Sequence, residues 1–271
     1  MGLRINTNVA AINTSRVLRR STEDLNRSLE RLSSGLRINR AADDAAGLAI
    51  AEGFNSVVRG TQVAQRNSQD GVSLVQTAEG ALSETTNILQ RIRELAVQAA
   101  NGTQSTNNRL AIDGEVSQLL SQIDDIATAT QFNGISVLSS AQTITLQSGA
   151  MQSQTLVITL SGAKTTELGV SAVHVSTMAT AVSAISTIDN ALKSVTTLRS
   201  SLGAYQNRLE FTINTLAIQE ENSASSESAI RDADVAKETI AFTRNQILVS
   251  AGTSVLAQAN VVPQTALQLL K

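Results

Sequence analysis

Residues 181–220 read AVSAISTIDNALKSVTTLRSSLGAYQNRLEFTINTLAIQE, and apolar side chains recur in this run at steps of three or four from Ile185 to Leu216. The repeat places one apolar stripe along a single helix for more than four heptads. A helix of ~40 residues is ~60 Å long. Such a rod needs a partner along its length, so the sequence predicts a mainly α fold built as a long antiparallel coiled-coil bundle.

A second apolar stripe in the first half of the chain can supply the partner. It recurs at heptad-like spacing through Val75, Leu82, Leu89, Ile92 and Leu95. The dipeptide Asn101-Gly102 is a turn signal that separates this helix from a shorter one that follows. We expect the two stripes to pack against each other through a seam formed by Leu89, Ile92, Leu202, Leu209, Ile213 and Leu216.

The composition supports long helices and a thin core. Hydrophobic residues make up 42% of the chain but aromatic residues only 2%, so the apolar content is mostly Ala, Leu, Ile and Val. These side chains suit a seam between helices better than a thick core. The chain has a single proline, Pro263, and no cysteine. Few helix breakers permit long helices, and disulfides and thiolate metal sites are excluded.

The middle of the chain changes from a helical pattern to a strand pattern. The segments TITLQ (143–147) and LVITL (156–160) are rich in β-branched residues, and SGAMQSQ (148–154) separates them with a glycine. This pattern predicts a β-hairpin near residues 140–162. The chain should therefore run out along helices, reverse through a small β element and return.

The two ends of the chain are amphipathic as well. We predict a polymerisation seam in which one arm contributes Ile5, Val9, Ile12, Leu25, Leu29 and Leu32, and the other contributes Ile247, Val255, Val262 and Leu269. Neither arm has a core of its own to cover its stripe, so we expect both to become ordered in an assembly. Residues 1–66 hold ten Arg against six acidic residues, and residues 210–271 hold seven acidic against four basic. Such arms would attract each other, unless the bias is ordinary surface variation.

Nothing in the sequence points to catalysis, a metal or a cofactor. Asp43-Asp44 could be a catalytic or cation-binding pair, but no partner at fixed spacing is visible, and capping of a helix after the turn at 35–42 is the better interpretation. His174 is the only histidine, lies in a Ser/Thr-rich segment and has no ligand spacing around it. Phosphate-binding glycine motifs are absent. We predict no catalytic, cofactor or metal residues.

Charge and hydropathy argue against a nucleic-acid-binding protein, a membrane-spanning protein and a protein with a Sec-type signal peptide. The formal net charge of −2 gives no general attraction to nucleic acid. No apolar run approaches the ~20 residues that a membrane-spanning helix needs. The first twenty residues lack a continuous apolar segment, so we do not expect a Sec-type signal peptide.

Long segments of the chain resemble bacterial flagellin. They are INTNVAAINT (5–14), ERLSSGLRINRAADDAAGLAIA (30–51), LQRIRELAVQAANGT (89–103), TQFNGISVL (130–138) and AGTSVLAQANVVPQTALQLLK (251–271). The resemblance covers nearly the whole chain, in the family's order. It departs in the middle, where about a dozen residues stand in place of the variable outer domains of larger members. It therefore implies a short form that lacks those domains.

The resemblance implies a domain organisation and a function. Residues 1–45 and 225–271 would form the inner domain of terminal helices that makes the core tube of a filament. Residues 46–224 would form an outer helical domain with the β-hairpin. The protein would be a secreted, extracellular subunit of the bacterial flagellar filament that serves swimming motility.

The resemblance also implies partners. These are other copies of the subunit, hook-associated and cap proteins, the flagellar type III export apparatus and an export chaperone. Host innate receptors would be further partners, because Arg91, Leu95 and Glu115 match positions that the family presents to an animal receptor. The family's plant receptors would read residues 30–51, and its cytosolic sensors would read the leucine-rich tail.

Three alternatives stay open. A hook–filament junction protein shares the terminal helices but assembles as a ring, and the match at 30–51 and 251–271 disfavours it. An enzyme is disfavoured by the missing catalytic constellation, and a surface adhesin could coexist with a filament subunit.

The Ser/Thr content of residues 139–187 suits either O-linked sugars or a plain solvated segment, and we favour the latter.

Overall fold

A computed structural model of the chain describes the backbone of residues 7–268 and the side chains of residues 7–261. In chain order the elements are α1 (Val9–Ser34), α2 (Ala45–Ala100), α3 (Thr106–Ala129), β1 (Gln131–Phe132), β2 (Ile135–Ser136), β3 (Gln142–Gln147), β4 (Thr155–Leu160), α4 (Met178–Arg231) and α5 (Val235–Gln268). Two compact units are formed, one by residues 57–221 and one by the segments before and after them. The predicted mainly α fold with a β-hairpin is confirmed.

Within unit 57–221, α2 and α4 run antiparallel. Arg93 pairs with Asp189 at 2.7 Å, and Arg199 pairs with Glu79 at 3.5 Å, so positions later in α2 face positions earlier in α4. The apolar stripes between these pairs are buried, because each helix offers its heptad face to the other. Buried members on α2 include Val75, Leu82, Leu89 and Ile92, and on α4 they include Ile188, Val195, Leu202 and Leu209.

The third helix completes the helical part of this unit. α2 ends at the predicted turn, and Ser105 caps the start of α3 by accepting a hydrogen bond from the backbone N–H of Asn108 at 3.2 Å. Such a cap satisfies one of the N–H groups that a helix start leaves without a partner. One face of α3 is buried through Ile112, Val116, Ile123 and Ala127.

The predicted hairpin is present as β3 and β4, with Ile144 opposite Ile158. Burial alternates along β4, and its inward side chains Leu156, Ile158 and Leu160 join the core. The hairpin lies close to α2: a Cβ at Gly60 would be 2.9 Å from the Cβ of Ala150. Glycine at this helix position therefore permits the hairpin to approach the α2 backbone.

A second two-stranded ribbon, β1 and β2, precedes the hairpin. Its turn residues Asn133 and Gly134 both have positive φ, 50° and 78°. Positive φ at both central residues is typical of a tight turn that matches the twist of the flanking strands, and Asn-Gly is its preferred sequence.

Two carboxylates of α3 hold the segment between the hairpin and α4. Asp124 accepts hydrogen bonds from the backbone N–H and the hydroxyl of Thr165, the shorter ones at 2.8 Å. Asp113 accepts the backbone N–H of Val175 at 2.6 Å. The two aspartates are three helical turns apart and share a face of α3. The Ser/Thr-rich segment is thus bound at both ends.

Candidate assembly surface

The terminal helices α1 and α5 pack side by side and antiparallel. Arg31 Nη1 lies 3.7 Å from Glu238 Oε2 at one end, and Asn8 Nδ2 donates to the carbonyl oxygen of Ala259 at 2.7 Å at the other. Between them, a Cβ at Gly252 would lie 3.2 Å from Leu18 Cδ1. These three contacts fix one register along the pair.

Small side chains line the seam between the two helices. Ser21 and Ser28 are buried on α1, one heptad apart, and Gly252 faces Leu18 from α5. Leu25 and Leu32 follow Leu18 at heptad spacing and are half-buried. Small residues let two helices approach closely, so the fully buried positions of α1 are serines and the leucines beside them are half-buried.

A second set of apolar side chains on both helices is exposed. The exposed fraction is 61% for Val9, 62% for Ile12, 48% for Leu29, 62% for Ile247 and 55% for Val255. Single exposed apolar residues are common on proteins, but a repeated set on neighbouring helices indicates an interaction surface.

The structure therefore divides the residues that we assigned to polymerisation. Leu25 and Leu32 are half-buried and follow Leu18, which faces α5, at heptad spacing, whereas Val9, Ile12, Leu29, Ile247 and Val255 are exposed. Ile5 and Leu269 lie outside the described residues, and so does the side chain of Val262.

The outward faces of α1 and α5 differ in charge. Arg16, Arg19, Arg20 and Arg27 are exposed on α1, and among the residues that the structure describes none of them lies within ion-pair distance of a carboxylate. In contrast, no charged residue occurs between Arg244 and Lys271. Unit 1, as we name the paired terminal segments 1–56 and 222–271, thus presents one basic helix, α1, and one helix, α5, that is uncharged after Arg244.

Backbone pairing connects the helices of unit 1. Gly35 ends α1 with φ of 73°, a left-handed conformation that glycine adopts without strain. Its carbonyl accepts the N–H of Ala233 at 2.9 Å, and the N–H of Arg37 donates to the carbonyl of Arg231 at 2.7 Å. The segment after α1 is therefore tied to the junction between α4 and α5.

Three aspartates order the helix starts around this junction. Asp44 caps α2 through a hydrogen bond from Gly47 N–H at 2.9 Å, as we predicted for the acidic pair. Asp43 instead accepts the N–H groups of Asn39 and Arg40, at 3.2 and 3.1 Å, and so orders the turn before the helix. Asp234 accepts the N–H groups of Ala236 and Lys237 at the start of α5.

These hydrogen bonds favour the ionised carboxylates. The Arg40 N–H holds the pKa of Asp43 below its ordinary value of 3.8. The Lys237 N–H does the same for the pKa of Asp234. Both side chains are exposed, so the shift reflects local hydrogen bonding rather than burial.

The receptor-type residues lie in unit 57–221. Arg91 Nη2 donates to Glu115 Oε1 at 2.9 Å, and Arg91 Nη1 lies 3.3 Å from Glu94 Oε2. The hydrogen bond that Arg91 donates to Glu115 is the main reason that the pKa of Arg91 is raised. Leu95 is buried, so the structure brings Arg91 and Glu115 together on the surface and leaves Leu95 in the core.

The seam assigned to the outer helical domain is internal. Leu89, Ile92, Leu202, Leu209 and Leu216 are buried, and Ile213 is half-buried against the core. They hold α2 and α4 together.

Nothing in the described part of the chain forms a metal site. No group of three His, Cys, Asp or Glu side chains there could hold an ion. His174 is exposed, with its Nδ1 3.6 Å from Asp113 Oδ2. No helix within residues 7–268 combines the length and hydropathy needed to cross a bilayer.

Several structural residues were not found from the sequence. Asn8, which joins the terminal helices, and Asp113 and Asp124, which hold the bridge before α4, carried no motif. The eleven-residue spacing of the two aspartates indicates a common helix face, but not what that face binds. Polar seam residues such as Ser21 and Ser28 were hidden because we followed apolar periodicity alone.

Long helices, a small hairpin and two outward apolar faces define the chain as a helical structural protein. Residues 5–143 match the family model described as bacterial flagellin N-terminal helical region, and residues 185–270 match the bacterial flagellin C-terminal helical region. The chain belongs to the bacterial flagellin family, whose members are structural proteins and not enzymes.

Individual relatives agree over nearly the full length. The chain is 47% identical to a flagellin of Halalkalibacterium halodurans over 275 residues, covering 98% of this chain and 99% of the relative. It is 43% identical to the flagellar filament 31.3 kDa core protein of Treponema maltophilum over 284 residues, with the same coverage.

Solved structures are also similar. The crystal structure of Bacillus cereus flagellin shares 34% identity at a TM-score of 0.49, covering 56% of this chain and 88% of that one. A Vibrio parahaemolyticus protein described as flagellar hook-associated has a TM-score of 0.58 at 12% identity, covering 70% of this chain and all of that one, which shows a shared fold alone.

Proposed function

We propose that this protein is the structural subunit of a bacterial flagellar filament and polymerises for swimming motility. The observation that carries the proposal is the exposed apolar set on α1 and α5, which no described residue of the same chain covers. Burial of apolar surface drives most protein association. Relatives named flagellins and a filament core protein match along the whole chain, which supports a polymer of like subunits.

The terminal helices would form the inner part of the filament. In this proposal, residues 1–45 and 225–271 make the core tube, and residues 46–224 surround it as the outer helical domain. Val9, Ile12, Leu29, Ile247 and Val255 would contact neighbouring subunits, because their side chains are exposed in the single chain. The short segment between the hairpin and α4 would leave the filament without variable outer domains.

Further partners follow from the same proposal. The subunit would be secreted through the flagellar type III export apparatus with an export chaperone, and would meet hook-associated and cap proteins on the way to an extracellular filament. Host innate receptors would contact the surface around Arg91 and Glu115, which the 2.9 Å ion pair holds together. Leu95 would act there through packing, since it is buried.

Seeded polymerisation tests the proposal. Purified protein should elongate added filament fragments into long polymers in electron micrographs. Ile247→Glu should leave the helical content of the monomer unchanged and abolish elongation, because a charge on an exposed face is harmless until that face is covered. Ile247→Leu is the matched control and should elongate normally.

Two results would contradict the proposal. Wild-type protein that never elongates seeds under any salt condition would remove the filament function. Growth that stops at a closed ring would instead support a hook–filament junction protein.

A further inference from the structure

One side chain at the end of the seam makes two hydrogen bonds of different kinds. The Asn8 Oδ1 accepts the N–H of Ala11 at 3.1 Å and so caps α1. The Asn8 Nδ2 donates across the seam to the carbonyl oxygen of Ala259 at 2.7 Å. A helix cap needs only the first bond, so the second requires its own explanation.

The carbonyl that Asn8 reaches lacks its usual helical partner. In an α-helix the C=O of residue i accepts the N–H of residue i+4. For Ala259 that residue is Pro263, which has no N–H. Helix α5 nevertheless continues to Gln268. The Asn8 amide therefore supplies the donor that the proline removes.

We propose that Asn8 and Pro263 together form a register lock between α1 and α5. Pro263 is the only proline in the chain, so it creates the only carbonyl in α5 that lacks a main-chain donor for this reason. A slip by one heptad that placed Asn8 beside residue 252 would offer it a carbonyl whose ordinary partner is the N–H of residue 256, and would leave the Ala259 carbonyl without a donor. The native register satisfies both the amide and the carbonyl.

The lock matters because the apolar part of the seam repeats every seven residues. After a slip of one heptad, Leu18, Leu25 and Leu32 would each occupy a position like the native one. A single buried polar pair can select one alignment in a coiled coil, since the alternatives leave it unsatisfied. The lock acts between two helices of the same chain, so its failure would leave the proposed filament function standing.

The test uses the full chain with engineered cysteines as reporters, because the natural sequence has none. Leu18→Cys with Gly252→Cys reports the native register, and Leu18→Cys with Asn245→Cys reports a slip of one heptad. Oxidative cross-linking yields are compared in six backgrounds: wild type, Asn8→Asp, Asn8→Ser, Pro263→Ala, and each Asn8 change combined with Pro263→Ala. Asn8→Asp keeps the capping oxygen but puts an acceptor against the Ala259 carbonyl.

Asn8→Asp should lower the ratio of native to slipped cross-link about tenfold, the effect of leaving one partly buried acceptor unsatisfied. Pro263→Ala should recover much of the ratio, because residue 263 then supplies its own N–H to the Ala259 carbonyl. Asn8→Ser, which keeps a cap without a charge, should give a smaller loss with the same rescue. An unchanged ratio in Asn8→Asp, or an equal loss with and without Pro263→Ala, would overturn the proposal and leave Asn8 as a simple cap.

Discussion

Gly60 shows how a single missing side chain positions the hairpin on α2. A Cβ there would lie 2.9 Å from the Cβ and 3.3 Å from the Cα of Ala150, and backbone atoms cannot yield as a flexible side chain can. Gly60→Ala should therefore destabilise the protein by about 1–2 kcal/mol despite the better helix propensity of alanine. Urea unfolding measures the change.

Gly80→Ala is the matched control on the same helix. No atom lies within 4 Å of a Cβ at this position. The substitution should stabilise the protein by about 0.5–1 kcal/mol, since only the propensity term acts. Equal effects at both sites would contradict the close approach at Gly60.

Asp43 and Asp234 should make unit 1 sensitive to acid. Their pKa values are lowered in the folded chain, so each stabilises the fold at pH values above the ordinary carboxyl pKa of 3.8. This stability is lost as the pH falls through the lowered folded value, because the unfolded chain then binds more protons. Amide protection factors in α1 and α5, which compare the observed exchange with the intrinsic rate at the same pH, should fall in that window.

Asparagine variants separate this effect from general acid sensitivity. Asp43→Asn and Asp234→Asn cannot titrate, so each should flatten part of the pH dependence below 3.8. Asp125→Asn, at an exposed position of α3, is the control. A pH profile that is unchanged in both asparagine variants would refute the role of these carboxylates.

At the scale of elements, the seam between α2 and α4 carries much of the stability of unit 57–221. Leu209 is fully buried there, and Leu209→Ala should cost about 2–5 kcal/mol in unfolding free energy. Ile218→Ala on the same helix removes a side chain that is 61% exposed and should cost less than about 0.5 kcal/mol. Chemical denaturation of both variants makes the comparison, and similar losses would argue against the assigned seam.

The elements that could be predicted are those with strong periodicity. The heptads in α2 and α4 and the alternating β-branched residues of β3 and β4 each require one face to be buried, so the pattern encodes the element. The start of α3 at Thr106 and the ribbon from Gln131 to Ser136 depend on caps and turn geometry. Those short-range signals locate a boundary but do not specify which core the element joins.

At the scale of the whole molecule, the two units should differ in stability. Unit 57–221 contains most of the buried apolar side chains, whereas the seam of unit 1 buries small residues such as Ser21 and Ser28. Little apolar burial means a low free energy of local opening. Hydrogen exchange in unassembled protein should be fast along α1 and α5 and slow in the centres of α2 and α4.

Seeded filaments provide the comparison for this prediction. Covering the outward faces should slow exchange in α1 and α5 by orders of magnitude, since binding to the folded state stabilises it. Equal protection of the terminal helices before and after assembly would contradict it.

The candidate surface could be predicted only in outline. The stripes at Val9, Ile12, Ile247 and Val255 were visible as periodicity, and their exposure follows because the chain offers them no partner. Leu25 and Leu32 have the same pattern but are half-buried, and the buried serines Ser21 and Ser28 that mark the seam between α1 and α5 are missed by a search for apolar repeats.

The uncharged stretch between Arg244 and Lys271 has a consequence for solution behaviour. Salt screens interactions between charges, and this segment of α5 has none. Sodium chloride should therefore do little to weaken the contacts that this segment makes. Sulfate should strengthen these apolar contacts and cooling should weaken them, because both change the free energy of hydrating apolar side chains. Cooling should therefore dissociate the contacts of this part of α5 more readily than added sodium chloride does.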